Sequence, residues 1–141
     1  MEHIEVEVEA ILKKDGVLDN NFDDVNQQVV NAYELIKQNA NKTSWSCRLV
    51  DTESNSATMI GQMPGEGNRR HYHPDWNEWW FILAGKWEFE IDGKAREIVT
   101  GDVVFIEKGK IHKITALGDE MAIRLAVSRN DVEHIYTTSS S

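Results

Sequence analysis

The stretch GEGNRRHYHPDWNEWWFILAG, residues 65–85, contains the residues that decide how this chain folds and what it can bind. Two histidines, His71 and His73, are separated by one residue and precede Glu78. Side chains two residues apart in a β-strand project to the same side, so both imidazoles can face one point. Pro74 interrupts the strand because it has no N–H to donate, and a new strand can resume at Glu78. The spacing predicts two imidazoles and one carboxylate that converge.

A third histidine, His112, opens the run HKITAL after the turn EKGK and is a candidate fourth ligand. Neutral imidazole together with carboxylate suits first-row divalent ions. The residues alone leave two interpretations open. One is a single such ion per subunit, iron, manganese, nickel or zinc, among which the ligand types do not select; the other is that His71 and His73 lie on the surface and His112 in a turn, without a metal. His3 and His134 lie near the two ends of the chain and are expected to be surface residues rather than ligands.

Most of the chain after Thr43 reads as short strands separated by turn residues. Eight runs are rich in β-branched or aromatic residues and have no helical interval between them, which predicts a closed barrel or a double-sheet sandwich. Asp92-Gly93, between two alternating runs, predicts a tight hairpin. The runs are WSCRLVD, ATMIGQM, EWWFILA, KWEFEI, KAREIV, DVVFIE, HKITAL and MAIRLAVS.

The N-terminal part has a different pattern. Residues 4–10, IEVEVEA, alternate apolar and acidic, which predicts a strand with one solvated face. Apolar residues recur at helical spacing over residues 21–38, which predicts a helix that packs on a core. We divide the chain into an N-terminal strand and helix extension that packs on the barrel (1–44), the barrel (45–136) and a disordered tail (137–141).

The histidine motif and its glycines resemble the cupin family. The first cupin motif, G-x5-H-x-H-x3-4-E-x6-G, is matched in full by Gly65, His71, His73, Glu78 and Gly85. The second motif, G-x5-P-x-G-x2-H-x3-N, is matched at its two glycines and its histidine, whereas Glu107 replaces the proline and Ala116 the asparagine. The matching residues of the second motif are Gly101, Gly109 and His112.

The resemblance covers roughly residues 55–127 and implies an all-β, double-stranded jelly-roll barrel. It also implies a metal ion held by His71, His73, Glu78 and His112. Neither of the replaced positions is a metal ligand in the family, so the site is expected to survive their loss. Because cupins commonly form dimers by strand exchange, the resemblance implies a homodimer.

Strand parity predicts the surroundings of the metal. Arg69 shares a side with His71 and His73, and we assign it a catalytic role in binding an anionic substrate. The alternative is that Arg69 pairs with an acid such as Asp75 or Glu78 and only holds the loop, and the sequence leaves both open. The predicted walls of the pocket are apolar, which is usual for a small-molecule site. They are Trp76, Trp80, Ile82, Trp87, Phe89 and Ile114.

Composition excludes several classes of function. The net charge is −9, from 15 basic and 24 acidic residues, which disfavours a nucleic-acid partner. No apolar run approaches the length of a membrane span, and the acidic N-terminus lacks the pattern of a secretion signal. We therefore expect a cytoplasmic protein with a small-molecule ligand. The single cysteine, Cys47, lies in a predicted strand and is expected to be buried and unreactive.

Two classes of function fit these residues. The first is an enzyme whose chemistry is centred on the metal, with dioxygenase-like chemistry favoured because dry aromatic walls protect a reactive centre. An isomerase, epimerase or lyase of the cupin type, acting on a sugar or sugar phosphate, is the alternative enzyme. The second class is a module that binds a metal or metabolite without turnover.

Overall fold

Two six-stranded sheets face each other in the computed structural model, which describes residues 2–141. The strands are β1 (His3–Glu5), β2 (Asp19–Asn21), β3 (Trp45–Asp51), β4 (Ser56–Gln62), β5 (Gly67–Tyr72), β6 (Glu78–Ala84), β7 (Lys86–Ile91), β8 (Lys94–Val99), β9 (Val103–Ile106), β10 (His112–Leu117), β11 (Ala122–Ser128) and β12 (His134–Tyr136). The helices within residues 2–141 are α1 (Val8–Lys14) and α2 (Ala32–Gln38). Neither helix is long and apolar enough to cross a bilayer.

The chain passes repeatedly from one sheet to the other. The first sheet has the order β1-β12-β5-β10-β7-β8 and the second has the order β2-β3-β4-β11-β6-β9. From β4 to β12, only β7 and β8 are consecutive strands of one sheet, and a two-residue turn at Asp92-Gly93 joins them with Ile91 opposite Lys94. This alternation is that of a jelly roll, so the predicted all-β double-stranded barrel is confirmed.

All eight strand-like runs of the sequence form strands, namely β3, β4 and β6 to β11. Their period-two patterns place one set of side chains between the sheets. The centre of this barrel core contains Trp80, Trp87 and Ile114, each 1% exposed or less. The interior is therefore packed by large side chains along most of its length.

The prediction of a strand over residues 4–10 is wrong beyond the first two of these residues. Only His3–Glu5 is extended, where it pairs with β12, and α1 begins at Val8. Val8, Ile11 and Leu12 recur at helical spacing, and Gly16 ends the helix with a positive φ of 94°. The alternation of apolar and acidic residues in this segment favoured a strand, and the helical spacing of the apolar residues from Val8 onward was therefore missed.

The predicted helix over residues 21–38 forms only in its second half. Asn31 caps α2 by accepting a hydrogen bond from the Glu34 N–H at 3.1 Å. Before it, Asn26 has a positive φ of 61° and exchanges side-chain hydrogen bonds with the backbone of Asp51 at 2.9 and 3.0 Å. Asparagine side chains that bond to backbone groups compete with helix formation, which explains the late start of α2.

Residues before β3 contribute to both sheets. β1 extends the first sheet beside β12, and β2 pairs in parallel with β3 in the second. α2 packs on the outer face of the second sheet, where Leu35 and Ile36 contact the cluster around Trp45. By contrast, α1 places Leu12 against Ile60. It covers the end of the barrel at which Glu78 lies.

Candidate metal centre

Strand register brings the predicted ligands together at one end of the barrel. His112 of β10 lies directly opposite His71 of β5 in the first sheet. His73 follows the end of β5, and Glu78 opens β6 in the facing sheet. All four side chains are buried: the three histidines are 1% exposed and Glu78 is 8% exposed. The sequence prediction that these residues converge agrees with their positions.

The turn before His112 is docked on the loop that follows His73. The Gly109 N–H donates to the carbonyl oxygen of His73 at 2.6 Å. The Lys108 N–H donates to Oδ1 of Asn77 at 2.9 Å. Gly109 has a φ of 81°, which a residue with a Cβ adopts only with strain. These bonds hold the turn although Glu107 replaces the proline of the cupin motif.

The three histidine rings are oriented by backbone carbonyl groups. The Nδ1 atom of His71 lies 2.6 Å from the carbonyl oxygen of Arg69. The Nδ1 atom of His73 lies 2.8 Å from the carbonyl oxygen of Glu133. The Nδ1 atom of His112 lies 2.9 Å from the carbonyl oxygen of Lys110. Carbonyl oxygens only accept, so each Nδ1 carries a proton and each Nε2 is left with a free lone pair. Metal-binding histidines are typically held in this way.

Two of these Nε2 atoms have no hydrogen-bond partner among residues 2–141. They belong to His73 and His112, and they lie 3.4 and 3.6 Å from Oε1 of Glu78. An unsatisfied buried polar atom costs about 1–3 kcal/mol. Two buried lone pairs that face one carboxylate are the arrangement that a divalent cation would complete, so the residues fit a first-row metal ion.

The charges of the cluster are strongly coupled. Burial alone would raise the pKa of Glu78, but attraction to His73 and His112 outweighs it and holds the pKa well below the usual range. Burial lowers the pKa of His73, and Glu78 reverses this, so the net shift is upward. Burial and the neighbouring imidazoles hold the pKa of His71 well below its usual value. His71 is therefore neutral, the state that binds metals.

His134 lies in the cluster, so its assignment to the surface was wrong. It is 8% exposed, and its ring centroid lies 4.5 Å from that of His73 and 5.0 Å from that of His71. Burial lowers the pKa of His134 to about 3. The possible metal-binding atoms form two groups, and within each group all atoms lie within 4.8 Å of one another. The first group contains His71, His73 and His134, and the second contains His73, Glu78 and His112. His3 is exposed, as expected, and stacks on Tyr136.

Arg69 is engaged outside the cluster. Its Nε donates to Oδ1 of Asp15 at 2.5 Å, and its Nη2 donates to Oε2 of Glu5 at 3.0 Å. The guanidinium also lies 4.0 Å from the ring centroid of Tyr136. Arg69 thus has the acid-pairing arrangement that the sequence left open, but with acids of the N-terminal segment in place of Asp75 or Glu78. These bonds fasten α1 to the first sheet.

A different arginine, Arg124, which was not predicted from the sequence, lies beside Glu78. Arg124 of β11 is fully buried and donates to Oε1 of Gln62 at 2.6 Å and to Oδ1 of Asn68 at 2.9 Å. Its Nε has no hydrogen-bond partner among residues 2–141. Burial lowers the pKa of Arg124 to about 10. Neutral amide oxygens, rather than carboxylates, thus hold a buried cation.

The cavity beside Glu78 differs from the apolar cup that the sequence predicted. It has a volume of about 50 Å³, and of the predicted walls Trp80 lines it. Ile82, Trp87, Phe89 and Ile114 instead pack against Trp80 as barrel core. Trp76 lies under Arg129, with 4.7 Å from the guanidinium carbon to the ring centroid. The other walls include apolar residues of α1, the apolar Ile60, Ala126 and Val132, and polar residues such as Thr58, Asn68, Arg124 and Ser128.

Comparison with known proteins agrees with this architecture. The model of the cupin domain family matches residues 59–128. Oxalate decarboxylase OxdC of Bacillus subtilis is 28% identical over 81 residues, which are 54% of this chain and 21% of that protein. The match therefore spans about a fifth of the length of this curated relative.

Solved structures show the same fold. A protein with a double-stranded β-helix domain from Klebsiella pneumoniae has a TM-score of 0.63 and 18% identity, over 74% of this chain and 87% of its own. A sugar phosphate isomerase of the cupin superfamily from Silicibacter pomeroyi has a TM-score of 0.56 and 23% identity, over 61% of this chain and 58% of its own. The chain belongs to the cupin superfamily.

Proposed function

We propose that this cupin is a metal-dependent enzyme that acts on a small carboxylate-bearing metabolite. In this proposal one divalent first-row ion is held by His71, His73, Glu78 and His112. The observation that carries the proposal is the pair of buried, unpartnered Nε2 atoms of His73 and His112, which face the Glu78 carboxylate. When bound, such an ion would supply Lewis acidity or redox chemistry to a substrate beside it.

Arg124 supports an anionic substrate. A guanidinium has five N–H donors in a planar fork that matches a carboxylate, and Gln62 and Asn68 occupy two of the donors of Arg124. Because Arg124 and Glu78 line the same cavity, a carboxylate bound to the arginine would lie beside the metal ligands. The role that the sequence assigned to Arg69 is therefore better served by Arg124.

The size of the cavity limits the substrate. At about 50 Å³, it holds a few water-sized groups, since one water needs about 10–15 Å³ on this measure. A carboxylate of a few non-hydrogen atoms fits without rearrangement. Ile11 and Leu12 of α1, each 2% exposed, give the cavity an apolar wall on its N-terminal side.

Two reaction classes follow from this proposal. Oxidative chemistry is favoured by the shielding that α1 and Trp80 provide, and the Trp80 ring centroid lies 5.9 Å from that of His112. Carbon–carbon lyase chemistry is the second candidate, because the matched segment of the Bacillus subtilis relative belongs to an oxalate decarboxylase. Isomerisation of a sugar phosphate fits the small cavity less well.

The test of the proposed function uses protein loaded separately with iron(II) and manganese(II) and supplied with small mono- and dicarboxylates. We expect metal-dependent consumption of oxygen or release of carbon dioxide with at least one of them, and no reaction with the metal-free protein. Carboxylate binding without any turnover would instead establish a non-catalytic binding module.

We expect the Arg124→Met variant to bind oxalate about 10- to 100-fold more weakly, since a hydrogen bond to a charged group contributes about 1.5–3 kcal/mol. Isothermal titration of the zinc-loaded protein measures this change. Arg69→Met is the control, because it removes an arginine of the same barrel that is already paired with acids. A loss of oxalate affinity in Arg69→Met, with Arg124→Met unchanged, would restore the role to Arg69.

The homodimer and the cytoplasmic location stay predictions of the sequence. An apolar area suited to a subunit contact lies where Trp79 of β6 is opposite Phe105 of the edge strand β9, and the two side chains are 41% and 62% exposed. Sedimentation analysis of the purified protein would determine the subunit number.

A further inference from the structure

We propose that His134 is a further protein ligand of the metal centre, an inference that rests on the metal site proposed above. His134 belongs to neither cupin motif and lies 61 residues beyond His73 in the sequence. Its strand, β12, is nevertheless the neighbour of β5, with Ile135 opposite Tyr72 and Tyr136 opposite His71. Continuation of this register brings His134 beside His73.

The contacts of His134 are those of a member of the cluster. Its ring meets His73 edge-on, with an interplanar angle of 88°, and stacks on His71 at 21°. Its Nδ1 lies 3.2 Å from the carbonyl oxygen of Val132, so it is held by a backbone carbonyl as the other three rings are. The proton on Nδ1 again leaves the lone pair on Nε2.

The donor atoms of the cluster form two groups that meet at His73. The donors of His71, His73 and His134 lie within 4.8 Å of one another, as do those of His73, Glu78 and His112. Ligands at about 2.0–2.2 Å from a metal lie up to about 4.4 Å apart. His73 belongs to both groups, and the rings of His71 and His112 link them with centroids 4.3 Å apart. The two groups do not merge into one, so a single ion held by four imidazoles and one carboxylate requires the rings to close in around His73.

A purely structural role explains these features poorly. His134 is buried among other imidazoles, where an apolar ring would fill the space without the cost of burying polar ring nitrogens. It also lines the same cavity as Glu78 and Arg124. As a ligand, His134 would leave a six-coordinate ion with a single open position. A substrate carboxylate would then meet the ion through one atom and need Arg124 for its second contact.

The orientation of the rings provides a direct count of the ligands. In cobalt(II)-loaded protein, each coordinated imidazole with a protonated Nδ1 gives one strongly shifted proton signal that exchanges with solvent. We expect four such signals in the unaltered protein, from His71, His73, His112 and His134. This count is made on the unaltered chain and does not depend on the folding of any variant.

Two variants complete the test. We expect His134→Ala to lose one of the four signals and to bind cobalt(II) more weakly by about a hundredfold or more, because loss of a ligand should exceed the 10- to 100-fold cost of losing a group that only supports one. His3→Ala, which removes an exposed histidine of the neighbouring strand, should change neither property.

Three shifted signals in the unaltered protein, all of them kept in His134→Ala, would overturn the inference and leave the proposed function intact. Binding of two cobalt ions per chain would also overturn it, because the donors would then be divided between two sites. Failure of the proposed metal site, on which the proposed function depends, looks different, since cobalt affinity would then be unchanged in His71→Ala as well.

Discussion

Replacing His112 with alanine is expected to lower the affinity for cobalt(II) by about a hundredfold or more, because loss of a ligand should exceed the 10- to 100-fold cost of losing a supporting group. His112 presents Nε2 to Glu78 at 3.6 Å, lies opposite His71 in the sheet, and is held by the Lys110 carbonyl. Its loss leaves the buried site with one metal-binding nitrogen fewer. Competitive titration with a chromophoric chelator measures the change.

Lys113→Ala is the matched control for this variant. Lys113 is the next residue of β10, and its side chain alternates to the other face of the strand. We expect its affinity for cobalt(II) to equal that of the unaltered protein. Equal affinities in His112→Ala and Lys113→Ala, with both proteins folded by circular dichroism, would remove His112 from the metal site.

Replacing Gly67 with alanine is expected to lower the free energy of unfolding by more than about 4 kcal/mol, the exceptional end of the range for single substitutions. A Cβ at this position would lie 1.8 Å from the carbonyl oxygen of Ile114 and 2.8 Å from the Cα of Thr115. Both are backbone atoms of the neighbouring β10, so rotation of a side chain cannot relieve the clash. β5 would have to move away from β10, and it carries His71.

Urea unfolding followed by tryptophan fluorescence measures this effect. Gly101→Ala is the control: Gly101 has a φ of 94°, but a Cβ there would meet nothing within 4 Å. We expect that variant to lose only about 1–2 kcal/mol, the cost of a left-handed conformation for a residue with a Cβ. Similar losses in the two variants would show that close approach of β5 and β10 is not what requires a glycine at position 67.

Much of the fold could be predicted from the sequence because its information is local. Period-two runs and a two-residue turn at Asp92-Gly93 mark the strands of a jelly roll, and the parity of His71 and His73 directs both rings to one side. The glycines around them identified the superfamily. The helix α1 was missed because the alternation in IEVEVEA continued into a segment whose apolar residues also fit a helical period.

The second half of the site could not be predicted because it depends on pairing between distant segments. Arg69 donates a hydrogen bond to Asp15, which lies 54 positions earlier in the sequence. This pair forms only because the N-terminal segment packs on β5. His134 enters the cluster through a three-residue strand beside β5. For Arg124, alternation in β11 separates two faces, but only the sheet pairing tells which face is inside.

Elemental analysis of protein purified without chelators or a metal-affinity step tests most directly whether this end of the barrel holds a metal ion. We predict one equivalent of a first-row divalent ion per chain, lost in His112→Ala and kept in Lys113→Ala. Protein that contains no such ion, and that takes up none when iron, manganese, cobalt, nickel or zinc is supplied, would contradict it.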